Sequence, residues 1–464
     1  MYVVILAIAS LTSWGYIFRF SQLRSPLGWA SPTALFAFGT IAFYIVPSFY
    51  WQLRPWQYSV PPYYEGIPLV FMSVLISASP FIIKNLVFPT QTISSRLRLL
   101  VLPIRLNSRW LLLFIPLGAG ILLRIYLIVT LGWQGRLAHE APSFLGSQEL
   151  GLIMLNFTAY YPAIYFLLFA LGNRFQRRIG ASIWIFDGFF VVFQLSRTVI
   201  FRFIVISLIY LALLGRRISL KRWTVVGVAA ILIMSFVSAT QYVMGDVMSH
   251  RMYLTPFEAS RALEKGITSY LLGEVQESHV TSESNVFLMP LDDSMYRLYE
   301  ARSASAVMSS FPQPNPYISG ESFINIAYAI IPRYLWNDKP SLGSIHEITN
   351  MIMYPEIGNP LGTLSELYIN FGFLGVLFGS FVCLLICCKL EGIFSSTSPI
   401  RISWVAVYPF IAEQLIMASY NFSQRISEGI RALIVLLLIG LLLRLTSTTT
   451  VRGASGFSNP NVPS

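Results

Sequence analysis

LYINFGFLGVLFGSFVCLLICC, residues 367–388, carries no charged side chain from end to end. A run of about 20 apolar residues is long enough to cross the hydrocarbon core of a bilayer as a helix. The run is continuous rather than alternating, so it reads as a helix and not as a barrel strand. The same pattern recurs over 2–18, 31–51, 66–86, 110–131, 149–172, 181–196, 198–214, 223–243, 363–388, 402–419 and 429–444. These runs predict an all-α polytopic membrane protein with about eleven transmembrane helices. Composition agrees: 55% of the 464 residues are hydrophobic and 11% are charged, where a soluble domain carries about 25% charged residues.

The spacing of the runs sets the organisation. Residues 1–243 hold helices 1–8, and residues 363–444 hold helices 9–11. Between them, 244–362 is mostly polar and reads as one large loop built mainly from helical pieces. Thr255-Pro256-Phe257-Glu258 looks like a helix start, Asp292 and Asp293 precede a further helix, and FPQPNPYISG (311–320) is a break. The stretch after it, to Ile331, is apolar and predicted to dip back toward the bilayer. The tail 445–464, rich in Ser, Thr, Gly, Asn and Pro, is expected to be disordered and cytoplasmic.

The net charge of +11 does not point to nucleic acid, because most of the basic residues sit in short loops between spans. One set of loops carries Arg19, Arg24, Arg96, Arg98, Arg105, Arg109, Arg174, Arg177, Arg178, Arg216, Arg217, Lys221 and Arg222. The other carries only Arg54, Arg136, Arg197 and Arg425. The positive-inside rule makes the first set cytoplasmic and the large loop extracytoplasmic. No basic segment precedes the first apolar run, so that span is expected to be retained. Cys383, Cys387 and Cys388 cluster at one end of a single span without zinc-site spacing, so no disulfide or metal site is expected. Gly375 and Gly379 form a GxxxG pair suited to close helix packing. There is no P-loop, dinucleotide fingerprint or nucleophile elbow, and no cofactor is expected. Nor is there an internal repeat of the kind that marks many transporters.

Several polar residues stand out against this apolar background. Arg197 lies in a tight turn between two apolar runs, where it either snorkels to headgroups or pairs with a bound anion such as pyrophosphate. Arg202, one helical turn on, fits either a structural ion pair or a tunnel wall. In IPRYLWNDKP (331–340), Arg333 offers a phosphate fork and Lys339 a point charge, with Asp338 between them. His346 and Glu347 follow, and either could take a proton from a sugar hydroxyl. Glu366 is a carboxylate just inside a span, a costly position that is either functional or neutralised by an arginine such as Arg197 or Arg333. Arg302 has Glu300 as its only acidic neighbour in sequence, which leaves it freer to reach a phosphate.

The run IPRYLWNDKP, followed by LSELYINFGFLGVLFG (364–379), resembles the Wzy-type oligosaccharide repeat-unit polymerases of O-antigen and exopolysaccharide synthesis. The hairpin LSRT (195–198) is similar too, as is an arginine at Arg302 ahead of a Gly-containing segment ending at Ile331. The likeness covers about 195–379. It implies a GT-C-like fold in the bacterial inner membrane with the large loop periplasmic. It implies a metal-independent glycosyltransferase that moves a growing glycan from undecaprenyl pyrophosphate onto an incoming lipid-linked unit. In that scheme Arg197, Arg333, Arg302 and Lys339 hold the pyrophosphate, and His346 or Glu366 is the base. Membrane lipids and a chain-length-determining co-polymerase are the implied partners. The O-antigen ligases share the architecture and give the alternative, transfer to lipid A-core. A lipid-linked oligosaccharide transporter is the third reading.

Overall fold

The computed structural model of the chain describes residues 2–25, 27–53, 66–87, 104–106, 108–115, 162–193, 197–213, 300–313, 315–330, 361–395, 401–417 and 422–449, with a few isolated positions. These residues are mostly helical. In chain order the helices are α1 (Tyr2–Arg24), α2 (Pro32–Thr40), α3 (Val46–Leu53), α4 (Ile67–Val87), α5 (Pro162–Leu171) and α6 (Arg174–Phe193). They continue with α7 (Arg197–Leu213), α8 (Glu300–Ser309), α9 (Glu321–Ile330), α10 (Thr363–Ser395), α11 (Arg401–Ile416) and α12 (Phe422–Thr446). Residues 447–449, which the sequence assigned to the tail, pair antiparallel with Ile104–Leu106.

Five helices among the described residues are long and apolar enough to cross a membrane: Tyr2–Arg24, Pro32–Tyr50, Ile67–Val87, Thr363–Ile393 and Arg425–Thr446. Pro162–Leu171, Ile200–Leu213 and Trp404–Ile416 are shorter apolar helices. The eleven spans expected from hydropathy are thus met in part. The run 223–243 and most of 110–131 lie outside the described residues, as do the helix start at 255–258 and Asp292 and Asp293.

Local chemistry explains the helix boundaries. Ser31 caps α2 by accepting the Ala34 N–H at 3.2 Å, and Pro32 fills the first helical position. Pro47 has no N–H, and its ring crowds the carbonyl four residues back. The chain answers with a wider π turn over Ile41–Ile45 before α3 begins. Trp14 is fully buried between α1, α2 and α4, donates its indole N–H to the Val74 carbonyl at 2.9 Å, and packs against Phe36 and Phe81.

The two ends of the bundle differ. Gly66, at the start of α4, lies against the Ser305 backbone of α8. Lys84, eighteen residues or about 27 Å further along α4, pairs with Glu391 at 3.7 Å, and Thr33 donates to the same carboxylate at 2.8 Å. The described residues between 300 and 330 therefore pack on the end away from Lys84. Helix α8 lies on α4 and α10, and α9 lies on α12.

Helix α10 is not one straight rod. Phe371 and Gly372 leave helical geometry, and Gly372 adopts φ 61°, a left-handed conformation that glycine takes without a Cβ penalty. A Cβ added to Gly375 would strike the Leu367 carbonyl oxygen, and the Leu367 side chain lies on Gly379. In a straight helix those pairs would be about 12 and 18 Å apart along the axis. Residues 363–370 therefore fold back along residues 373–395. The GxxxG pair does serve close packing, but its partner is the preceding stretch of the same chain. Exchanging Gly375 for Ala is expected to destabilise the protein by about 1–3 kcal/mol through overpacking. Gly15→Ala, at a position with nothing within 4 Å, should leave thermal unfolding in detergent unchanged or slightly raised. Equal melting temperatures for the two variants would contradict the fold-back.

Candidate functional site

Where α8 and α9 meet the spanning helices, three polar networks are buried. The first is built on Glu366, which is fully buried. Its carboxylate accepts the Ser423 N–H at 2.9 Å and the Ser423 hydroxyl, and also bonds the Ser322 hydroxyl and the Phe422 backbone. Phe422 and Ser423 open α12, so two of the amide groups that a helix N-terminus leaves unpaired point at this carboxylate. Asn370, one turn on, donates at 2.7 Å both to the Ser322 hydroxyl and to the Glu366 carbonyl. Its side-chain oxygen accepts the Gly320 N–H at 2.8 Å. Glu366 thus acts as a cap supplied by one helix to another, and it ties α9, α10 and α12 together. Among the described residues its charge is met by a helix end and hydroxyls.

The second network is the ion pair between Arg202 on α7 and Glu413 on α11, at 2.7 Å. Glu413 is fully buried. Of the two roles the sequence left open for Arg202, the structural ion pair is the one that the geometry displays.

The third network gathers Tyr44, Glu300, Arg302 and Arg425. The π turn before Pro47 sets Tyr44 in the interior, with its hydroxyl bonded to the Leu364 backbone and within electrostatic range of Glu300 and Arg425. Arg425, 9% exposed, donates to the Met417 carbonyl at 2.7 Å and lies over the Phe36 ring. Glu300, also 9% exposed, opens α8, and Arg302 follows it on the same helix. Burial pushes the Glu300 carboxyl up to about 8, against the opposing pull of Arg302 and Arg425. Near neutral pH most copies of Glu300 are therefore protonated, and the guanidinium groups of Arg302 and Arg425 lie within electrostatic range of it. Guanidinium groups match phosphate oxygens two bonds at a time. In a low-dielectric interior such charges act strongly on an anion.

The sequence-derived candidates divide accordingly. Arg302 and Glu366 lie in adjacent networks, since Leu364 is two residues before Glu366 and Ser423 two before Arg425. Arg202 is held by Glu413. Arg197 is the first residue of α7, and its side chain lies outside the described residues. Arg333, Asp338, Lys339, His346 and Glu347 also lie outside them. Sequence reasoning passed over Tyr44, Glu300 and Arg425. Arg425 was grouped with loop charges, although its short interval between two apolar runs is the signal that it is drawn inside. Among the described residues, no group of three or more His, Cys, Asp or Glu is placed to hold a metal ion. Comparison with protein-family models, with curated proteins and with solved structures gives no match to this chain.

Proposed function

We propose that this chain is a membrane glycosyltransferase of the repeat-unit polymerase type. It takes a glycan from a polyprenyl pyrophosphate and joins it to the next lipid-linked unit on the extracytoplasmic face of the inner membrane. The observation that carries the reading is the placement of half-buried Arg302 and buried Arg425 beside Glu300, where helices of the polar segment pack onto the spans. Such a site suits an anion that is attached to a lipid and leaves as pyrophosphate. Stabilising the charge that develops on a leaving group commonly contributes more to catalysis than any other single effect, and a pyrophosphate leaving group needs no nucleotide. The full reading keeps about eleven spans and the polar segment as one loop, with Arg197, Arg333 and Lys339 as further phosphate ligands.

One observation favours a second reading. The break at Phe371–Gly372 gives α10 two half-helix ends, and broken helices line substrate sites in many transporters. The test is incubation of the purified chain in nanodiscs with lipid-linked repeat units and EDTA. A ladder of lipid-linked products is expected. Transfer to added lipid A-core without a ladder would make it a ligase. Movement of lipid-linked units across a vesicle bilayer, with neither product, would make it a transporter.

A further inference from the structure

Four acidic side chains are buried among the described residues: Asp187, Glu300, Glu366 and Glu413. Three have evident work. Asp187 accepts from the Tyr165 hydroxyl at 3.3 Å, Glu413 pairs with Arg202, and Glu366 caps α12. Glu300 differs, because its Oε2 is buried without a hydrogen-bond partner among the described residues. A buried carboxyl oxygen left unbonded costs about 1–3 kcal/mol, so a group that bonds to it on arrival gains by doing so. It also lies beside the two guanidinium groups assigned to the pyrophosphate.

We infer that Glu300 is the general base of the glycosyl transfer, taking the proton of the acceptor hydroxyl on Oε2. This rests on the function proposed above. The acceptor oxygen forms its bond to the anomeric carbon as its proton passes to Glu300. The bond from that carbon to the pyrophosphate oxygen breaks, and its electron pair leaves with the lipid pyrophosphate against Arg302 and Arg425. Glu300 then returns the proton to solvent as the products depart. No oxidant or metal is needed for the balance. The assignment takes the base role from Glu366, whose carboxylate is already engaged by Ser322, Phe422 and Ser423.

The surroundings of Glu300 set its pH behaviour. Among the described residues, Tyr44 of the α2–α3 helix, Arg425 of α12 and Arg302 of its own helix are the titratable groups that act on it. The only charged side chain on α4 is Lys84, bound to Glu391 at the far end. On α10, Glu366 is engaged with α12, while Lys389 and Glu391 sit at the far end as well. A base must be ionised, so the rate should rise about tenfold per pH unit below about pH 8 and level off above it. Folding runs the other way. A carboxyl whose folded value is raised stabilises the folded state at low pH, and that contribution fades as pH rises to about 8.

The experiment measures ladder formation in nanodiscs from pH 6 to 9 for wild type, Glu300→Gln and Glu300→Asp. Binding of a polyprenyl pyrophosphate to each protein reports that it is folded. Glu300→Gln should bind about as tightly as wild type near pH 6, where Glu300 is already neutral, and more tightly above pH 8, where the ionised carboxylate would repel the anion. Its rate should fall about 10²–10⁴-fold, the usual contribution of acid–base catalysis, and become flat with pH. Glu300→Asp should be slower than wild type and keep a pH-dependent rise. A Glu300→Gln enzyme with the wild-type rate and profile would overturn the base assignment while leaving the polymerase reading intact. A wild type that forms no polymer would overturn both.

Discussion

Arg425→Gln is expected to slow chain extension about 10²–10³-fold, the loss seen when one preorganised donor to a developing oxyanion is removed. Arg425 is buried and held from two sides, by the Met417 carbonyl and by the face of Phe36. Its orientation is therefore fixed before substrate arrives, and no reorganisation is needed as charge appears. Glutamine keeps a donor that can reach Met417 but carries no charge, so the fold should survive while the rate falls. Arg425→Lys keeps the charge and loses the fork, and should fall between the two. The measurement is the initial rate of ladder growth, with melting temperature recorded for each variant. If Arg425→Gln retained the wild-type rate, Arg425 would have no part in the chemistry.

Arg202→Ala should act on stability instead. Glu413 is fully buried and its carboxylate pairs with Arg202. Removing one partner of a buried ion pair costs about 3–5 kcal/mol. Thermal unfolding in detergent should show a large drop for Arg202→Ala. The double variant Arg202→Met/Glu413→Leu should recover most of it, because apolar replacement of a whole buried pair is often neutral. The specific rate of that double variant should equal that of wild type, since neither side chain belongs to the Glu300 cluster. A double variant as unstable as the single one would show that something other than the unpaired charge is responsible.

Much of the architecture was legible because hydropathy reports directly on the apolar runs. The helices Tyr2–Arg24 and Ile67–Val87 follow their runs closely. The hairpin near residue 196 was legible as a short interval, although Arg197 proves to begin α7 rather than to sit within the turn. The fold-back of α10 was hidden, because hydropathy does not distinguish a straight helix from two apolar halves. Only the positive φ of Gly372 and the collision at Gly375 betray it. The role of Glu366 was hidden for another reason. Its partners are Ser322 and Ser423, the latter 57 residues away in sequence, and a helix N-terminus makes no mark on charge counting. Arg302 was recognised as a residue with reach. That Tyr44 and Arg425 would gather with it around Glu300 depends on tertiary packing and on the π turn that Pro47 imposes.

Equilibrium binding of undecaprenyl pyrophosphate to the full chain in nanodiscs tests most directly whether Arg302 and Arg425 hold a lipid pyrophosphate. Wild type would be compared with Arg302→Gln, Arg425→Gln and Arg202→Gln, using inorganic pyrophosphate as competitor. At least about a tenfold loss of affinity is expected for each of the first two, equivalent to about 1.4 kcal/mol, and none for Arg202→Gln. Inorganic pyrophosphate should displace the lipid from wild type. Equal affinity across all four proteins would contradict the assignment of Arg302 and Arg425 to a lipid pyrophosphate.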